Sequence, residues 1–290
     1  MYYRKASKFH IHSIKKLWNE VFGDSDDYIH RFITHFGIEN GYVCENNNEI
    51  IAMAFALPTT FSINEVQDLK IQRFKNSKIQ RLQYIYACAT HQDFRGQGIM
   101  KNLLATIYED ACNEDFAGIF LNAADLSLAN YYSKLGFEDF FFQNHSFYCN
   151  HKRQKVCTQS TNCENSLYSL SLNIISPEIY HRKRVKKLEK TCFIDWNEEF
   201  FSFINQIGTQ FCEYENTIFS FKTRINIIIV DELLGDTPHE IISELLFKHF
   251  SEIGVVHIRS LGNVYCCGQI KWCKQLSITQ NYGYFAFTME

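Results

Sequence analysis

Proline is scarce in this chain, three residues in 290, and long apolar runs are missing altogether. The segment Ile50 to Leu57 is among the longest, well short of the ~20 residues a membrane-crossing helix needs, so no membrane partner is expected. The first residues, MYYRKASKFHIHSIKKLW, are basic and amphipathic but lack an apolar core and a small-residue cleavage site; the reading is cytoplasmic. A strong charge of either sign is also lacking. The formal net charge of −3 argues against nucleic acid as the main partner. The eleven cysteines include no C-x-x-C pair, and Cys266, Cys267 and Cys273 do not have the paired spacing of a zinc site. Reduced core thiols and no metal are the expectation. Two phosphate motifs are absent: there is no G-x-x-x-x-G-K-[ST], and Lys101 stands where G-x-G-x-x-G requires its third glycine.

What is present is apolar matter for two cores. Hydrophobic residues make up 46% and aromatics 16% of 290 residues, a length that favours two domains. The most informative stretch is Gln83 to Lys101, QYIYACATHQDFRGQGIMK. It reads as a strand to Thr90, a polar turn, and Arg95-Gly96-Gln97-Gly98 opening a helix whose Ile99, Leu103, Leu104, Ile107, Tyr108 and Ala111 share one face. Glycines flanking one residue let backbone approach a ligand, and amides at a helix N-terminus favour an anion. An ordinary strand-to-helix turn has the same spelling.

Upstream, Ser13 to Phe22 predicts a helix stopped by Gly23, and Asp24 to Asp27 cap a second one. Tyr42 to Glu45 and Ile50 to Pro58 predict a hairpin, and Phe61 to Ile79 an excursion before the central strand. Downstream, Gly118 to Ala123 reads as a short strand, Leu126 to Leu135 as a helix ended by Gly136, and Phe137 to Tyr148 as aromatic-rich strands. The order is that of an α/β domain with a mixed sheet.

The run from Arg95 resembles motif A of the GNAT (GCN5-related) N-acetyltransferases, [Q/R]-x-x-G-x-[G/A], with Arg95 and Gly98 matching and Met100 departing. A bulky residue at that place is similar to the turn of the enhanced-intracellular-survival-type aminoglycoside acetyltransferases. Asn130 to Phe137, NYYSKLGF, resembles motif B, in which a tyrosine precedes L-G-F. The resemblance covers about residues 10 to 148.

It implies acetyl-CoA as co-substrate and direct attack by a primary amine, of a small molecule or a peptide, in a ternary complex. By the resemblance, Arg95, Gly96, Gln97, Gly98, Ile99, Met100 and Lys101 hold the pyrophosphate. The strand edge at Cys88, Ala89 and Thr90 pairs with the pantetheine arm, and Asn122 hydrogen-bonds it or caps its strand. Tyr132 is the expected general acid for the departing thiolate; packing on Phe137 is its alternative. Glu20, Asp24, Asp26 and Asp27 attract a cationic amine or simply cap the helix. No one base is singled out: Glu20, His91, Asp93, Asp125, the terminal carboxylate of Glu290 and water all stand, while Cys88 as a covalent nucleophile is disfavoured.

The expected division is residues 1–149 as the acetyltransferase domain, 150–166 as a polar linker, and 167–290 as a degenerate GNAT-like or other α+β domain. In the second half, the basic run Arg182 to Lys187 reads as a solvated helix face, and Glu232 to Thr237 as an acidic turn that repels phosphate. Exposed aromatics there make a homodimer an open expectation. Two further functions stay in view: a non-catalytic acyl-CoA-binding module, and an acyltransferase using a longer acyl-CoA.

Overall fold

The computed structural model describes residues 1–63, 78–150, 172–276 and 282–287. In chain order the first half forms β1 (Tyr2–Lys5), α1 (Ile11–Phe22), α2 (Asp26–Phe36), β2 (Gly41–Asn46), β3 (Glu49–Ile63), β4 (Lys78–Thr90), α3 (Ile99–Asn113), β5 (Gly118–Leu121), α4 (Leu126–Lys134) and β6 (Glu138–Cys149). The second half forms β7 (Asn173–Ile174), α5 (Pro177–Lys187), β8 (Phe193–Asp195), α6 (Glu198–Gln206), β9 (Gln210–Tyr214), β10 (Thr217–Arg224), β11 (Ile227–Leu234), α7 (His239–His249), β12 (Val255–Leu261) and β13 (Tyr265–Trp272). The expected excursion after Phe61 falls largely outside the described residues, as do the linker and the end of the chain.

Two compact units result, and neither is a contiguous half. Unit 1 takes Met1–Phe141, Lys190–Glu199 and Cys266–Phe285; unit 2 takes the residues between and those from Ala286. The expected division cuts the chain once, at a linker, whereas backbone pairing brings two later segments back to unit 1. Strand β8 pairs with the far end of β3 (Phe61 opposite Ile194), and β13 pairs with β5 (Ile270 opposite Phe120).

In unit 1 the strand order is β1-β2-β3-β4-β5-β13. Its pairs are antiparallel except β4 with β5. Gly23, at φ 74°, ends α1, and the Ser25 hydroxyl accepts from Tyr28 N–H to start α2, as the spelling of that corner predicts. Trp18 of α1 is fully buried and meets Phe32 at 5.0 Å and Phe55 at 5.5 Å. On α3, Ile99, Leu103, Leu104, Ile107 and Ala111 are all buried. Each large apolar side chain so placed is worth about 1.5–3 kcal/mol, which is what docks the helix on the sheet.

Unit 2 repeats the connectivity. The hairpin β9–β10, central strand β11, helix α7 and strand β12, parallel to β11, match the hairpin β2–β3, strand β4, helix α3 and parallel strand β5. The mixed α/β architecture thus occurs twice.

The basic run on α5 departs from its reading. Arg184 is fully buried, its Nε donating to both Glu232 carboxylate oxygens at 3.0 and 2.9 Å, and Tyr180 Oη donates to the same carboxylate at 2.7 Å. Only its neighbours are solvated: Lys183 pairs with Glu213, and Lys187 donates to the Asn216 carbonyl. The Glu232 charge is therefore spent inside the unit, while Asp236 of the same stretch stays exposed.

Across β6 and β12, Phe147 stacks on His257 at 4.2 Å, and His145 lies 4.9 Å from His257. Burial, then Arg259 and His145, lower the His257 pKa to about 4, against about 6.5 in an unfolded chain. The unfolded state binds more protons between those values, so stability is full above pH 6.5 and is lost as pH falls toward 4. Urea unfolding at pH 7.5 and 4.5 should show unit 2 weaker by about 1–2 kcal/mol at the lower pH. In His257→Gln the difference should shrink; an equal loss in both proteins would contradict this.

Candidate active site

The chemistry-bearing residues of the first half converge on the C-terminal end of β4. Strand β5 pairs with β4 only over Leu82 to Tyr84, opposite Gly118 to Phe120. Beyond that point β5 runs out at Leu121 while β4 continues to Thr90. From Ile85 onward, β4 keeps its partner β3 on one side, Ala89 opposite Met53 and Thr90 opposite Ala52, and has no β5 pairing on the other. A wedge between two parted strands exposes a row of backbone donors and acceptors of the kind an extended amide chain can complete.

A bulge distorts that edge. Phe55 faces Tyr86 and Met53 faces Ala89, so β4 spends one residue more than β3, and Ala87 adopts φ 52°. A non-glycine residue in the left-handed region marks a strained, specified backbone. The bulge also resets the alternation of side chains. Tyr86 turns to the α1–α2 face, where its hydroxyl lies 2.9 Å from that of Tyr28 and its ring 5.9 Å from Trp18. Cys88 turns the other way, into the cluster under α3 and α4.

Past Thr90 the turn is tied down by its own side chains. His91 N–H donates to Ile51 O at 2.9 Å, which extends the β3 ladder. Its Nδ1 accepts from Asp93 N–H at 3.4 Å, and Arg95 Nε donates back to Thr90 O at 3.0 Å. Gly96 and Gly98 both take φ 76°, and a Cβ built on either meets nothing within 4 Å. Gly98 is the N-cap of α3 with no side-chain cap hydrogen bond, and the first turn carries no acidic residue. Alternating left-handed glycines before a helix with no side-chain cap leave its first amides without a side-chain acceptor, the kind of turn an anion can occupy. Ile99 is buried, and Met100 packs against the core, so the departing residue of the motif lies away from the amides. Gln97 and Lys101 are exposed at the rim.

The helix α4 supplies the phenol. Asp125 caps it by accepting from Leu128 N–H at 2.8 Å, which occupies that candidate base structurally. Its end is closed by Leu135 and Phe137 amides donating to Tyr132 O at 2.9 and 3.2 Å, with Gly136 at φ 87°. The L-G-F turn thus fixes the residue that precedes it. Tyr132 is buried, its ring 5.4 Å from Tyr131 and 5.8 Å from Phe137, with Cys88 packed against the same cluster. Burial, then Cys88, hold the Tyr132 phenol well above its ordinary range. Burial pushes the Cys88 thiol up to about 12, so both keep their protons at neutral pH and Cys88 is no thiolate nucleophile.

Asn122 follows β5 directly and is half-buried. Glu20 on α1 lies 3.9 Å from both Lys16 Nζ and His91 Nε2, and Asp93 lies 3.8 Å from His91 Nδ1. At the α1–α2 corner Asp24 accepts from Trp18 Nε1 at 2.8 Å and Asp27 pairs with Arg31 at 2.7 Å. Glu290 lies outside the described residues. Sequence reasoning did not find Tyr28, Tyr86 or the Ala87 bulge; the clustered tyrosines of α2 and β4 were the available signal for the first two.

The equivalent turn of unit 2 is closed. Strands β11 and β12 stay paired through Leu233 and Ser260. Thr237 N–H donates to Thr217 Oγ1 at 3.0 Å, and a Cβ on Gly235 would meet that same oxygen at 2.3 Å. Its amide is capped from within, so crowding rather than the acidic charge of the turn is what closes it. Among the described residues no group of His, Cys, Asp and Glu could hold a metal, and no helix is long and apolar enough to cross a membrane.

Comparison with known proteins agrees with this geometry. Residues 2–140 match the family model of the acetyltransferase (GNAT) domain. No curated protein matches the sequence. Solved structures similar to the chain include a GCN5-related N-acetyltransferase from Anabaena variabilis (TM-score 0.67, 15% identity, covering 94% of this chain and 73% of that one). Another is a GCN5-related N-acetyltransferase from Kribbella flavida (0.65, 10%, 93% and 69%), and a third is Eis1 from Mycobacterium abscessus (0.61, 8%, 94% and 74%). At such identities the likeness is one of fold, and it extends over both units. With its parted strands and glycine turn inside the matched residues, the segment 2–140 is a GNAT acetyltransferase domain, the domain of an acyltransferase.

Proposed function

We propose that this protein is an acetyl-CoA-dependent N-acetyltransferase that acts on a cationic primary amine by direct attack in a ternary complex, in the cytoplasm. The observation that carries the reading is the uncapped Gly96–Gly98 turn standing beside the end of β4, past the point where its ladder with β5 stops. The amides of Gly96 to Lys101 bind the pyrophosphate of the co-substrate, and the backbone of Cys88 to Thr90 pairs with its pantetheine arm. In this reading the backbone amides at the Ala87 bulge polarise the thioester carbonyl. Tyr132, fixed by the motif B turn, gives its proton to the departing thiolate. The exposed acids of the α1–α2 corner draw the ammonium in, and Glu20, beside His91, or water takes up the proton it loses.

The test is thiol release from acetyl-CoA against a panel of primary amines, small and peptide. Acetyl-CoA-dependent release with at least one amine is the expected result. Binding of CoA without release across the panel would favour a non-catalytic binding module, and release from succinyl- or long-chain CoA in preference would change the donor.

A further inference from the structure

Two thiols lie together in unit 1, away from the parted strands. Cys112 is exposed near the C-terminal end of α3, and Cys273, half-buried, directly follows β13. Hydrogen bonds hold one segment on the other. Cys273 N–H donates to Ala117 O at 2.8 Å, Lys274 Nζ to Asp115 Oδ1 at 3.0 Å, and Tyr108 Oη to Trp272 O at 2.9 Å. The backbones approach closely there, since a Cβ on Gly118 would meet Lys271 O at 2.7 Å. Inside this frame Cys112 lies one helical turn beyond Tyr108, whose hydroxyl bonds the residue before Cys273, and the Cys273 thiol feels that of Cys112. Burial and Cys112 push the Cys273 thiol up to about 12, against the pull of Lys271 and Lys274. Cys273 therefore stays protonated at rest, and the exposed Cys112 is the sulfur a reagent meets first.

We propose that Cys112 and Cys273 are a reversible disulfide site, oxidised by exchange with a small-molecule disulfide. The Cys112 thiolate attacks one sulfur of that disulfide, forms a mixed disulfide and releases one thiolate. Cys273 then gives its proton to solvent and attacks the Cys112 sulfur, which expels the second thiolate. One external disulfide becomes two thiols as one protein disulfide forms. In a reducing cytoplasm the pair rests as thiols. Oxidation would fasten the returning segment Cys266–Phe285, which carries most of β13, to the N-terminal segment that holds α3 and the glycine turn. Closing so long a loop removes freedom from the unfolded chain.

The experiment is incubation of the full chain with glutathione disulfide, alkylation of remaining thiols and peptide mass mapping. The expected product joins the peptides of Cys112 and Cys273, is undone by dithiothreitol, and raises the unfolding temperature by roughly 5–10 °C. Cys112→Ser should abolish the product and leave Cys273 unmodified. A stable glutathione adduct on Cys112 that Cys273 never resolves, or cross-links through exposed Cys149 or Cys266 in preference, would overturn the proposal.

Discussion

Gly98→Val should weaken CoA binding about 100-fold or more while the chain still folds. Gly98 sits at φ 76° as the N-cap of α3, a conformation that costs a β-branched residue roughly 1–3 kcal/mol. The chain has two ways to respond. If the backbone holds, the branched side chain projects from the turn into space that no atom beyond the adjoining residues fills within 4 Å, and it crowds an anion approaching there. If the backbone relaxes, the amides of Gln97 to Met100 change direction. Either way the turn is lost to an anion, whereas the core contacts of Ile99 and Leu103 remain to hold the helix. Calorimetric titration with CoA and a thermal melt of the variant check both halves. Affinity within a few-fold of the parent in a folded variant would mean that the phosphates bind elsewhere.

Tyr132→Phe is the second large effect, and it falls on turnover alone. The ring is buried among Tyr131, Phe137 and Cys88, so phenylalanine keeps the packing and removes only the hydroxyl. Turnover should drop about 100-fold, the lower end of what a positioned proton donor contributes, with CoA affinity unchanged. Because its environment holds the phenol above its ordinary range, Tyr132 stays protonated across the working range. The pH–rate profile of the residual activity between pH 6 and 9 should therefore keep the parent's shape. Undiminished turnover would return Tyr132 to a packing role.

How much of this was legible in the sequence follows from the range of each interaction. The glycine turn, the apolar face of α3 and the helix closed by Gly136 depend on neighbours within a few residues, so their spelling carries them. The return of β13 to β5 joins Trp272 to Gly118, and no local pattern records a pairing across that distance. Arg184 reads as solvated because α5 is basic, and its burial depends on Glu232 of a strand 48 positions later. The bulge at Ala87 was hidden because no glycine announces it; it emerges from the mismatch between β3 and β4 after both have paired. The closed turn of unit 2 has a similar cause. Its acidity was visible, but what fills it is Thr217, from the preceding hairpin.

The central claim is that amides at the start of α3 and the end of β4 past its β5 ladder together hold an acyl-CoA. A crystal structure of the CoA complex tests it most directly. The account predicts diphosphate oxygens within hydrogen-bond distance of backbone N–H groups between Gly96 and Lys101, with the pantetheine amides paired to β4 between Ala87 and Thr90. Diphosphate held by side chains elsewhere, with those amides untouched, would contradict it.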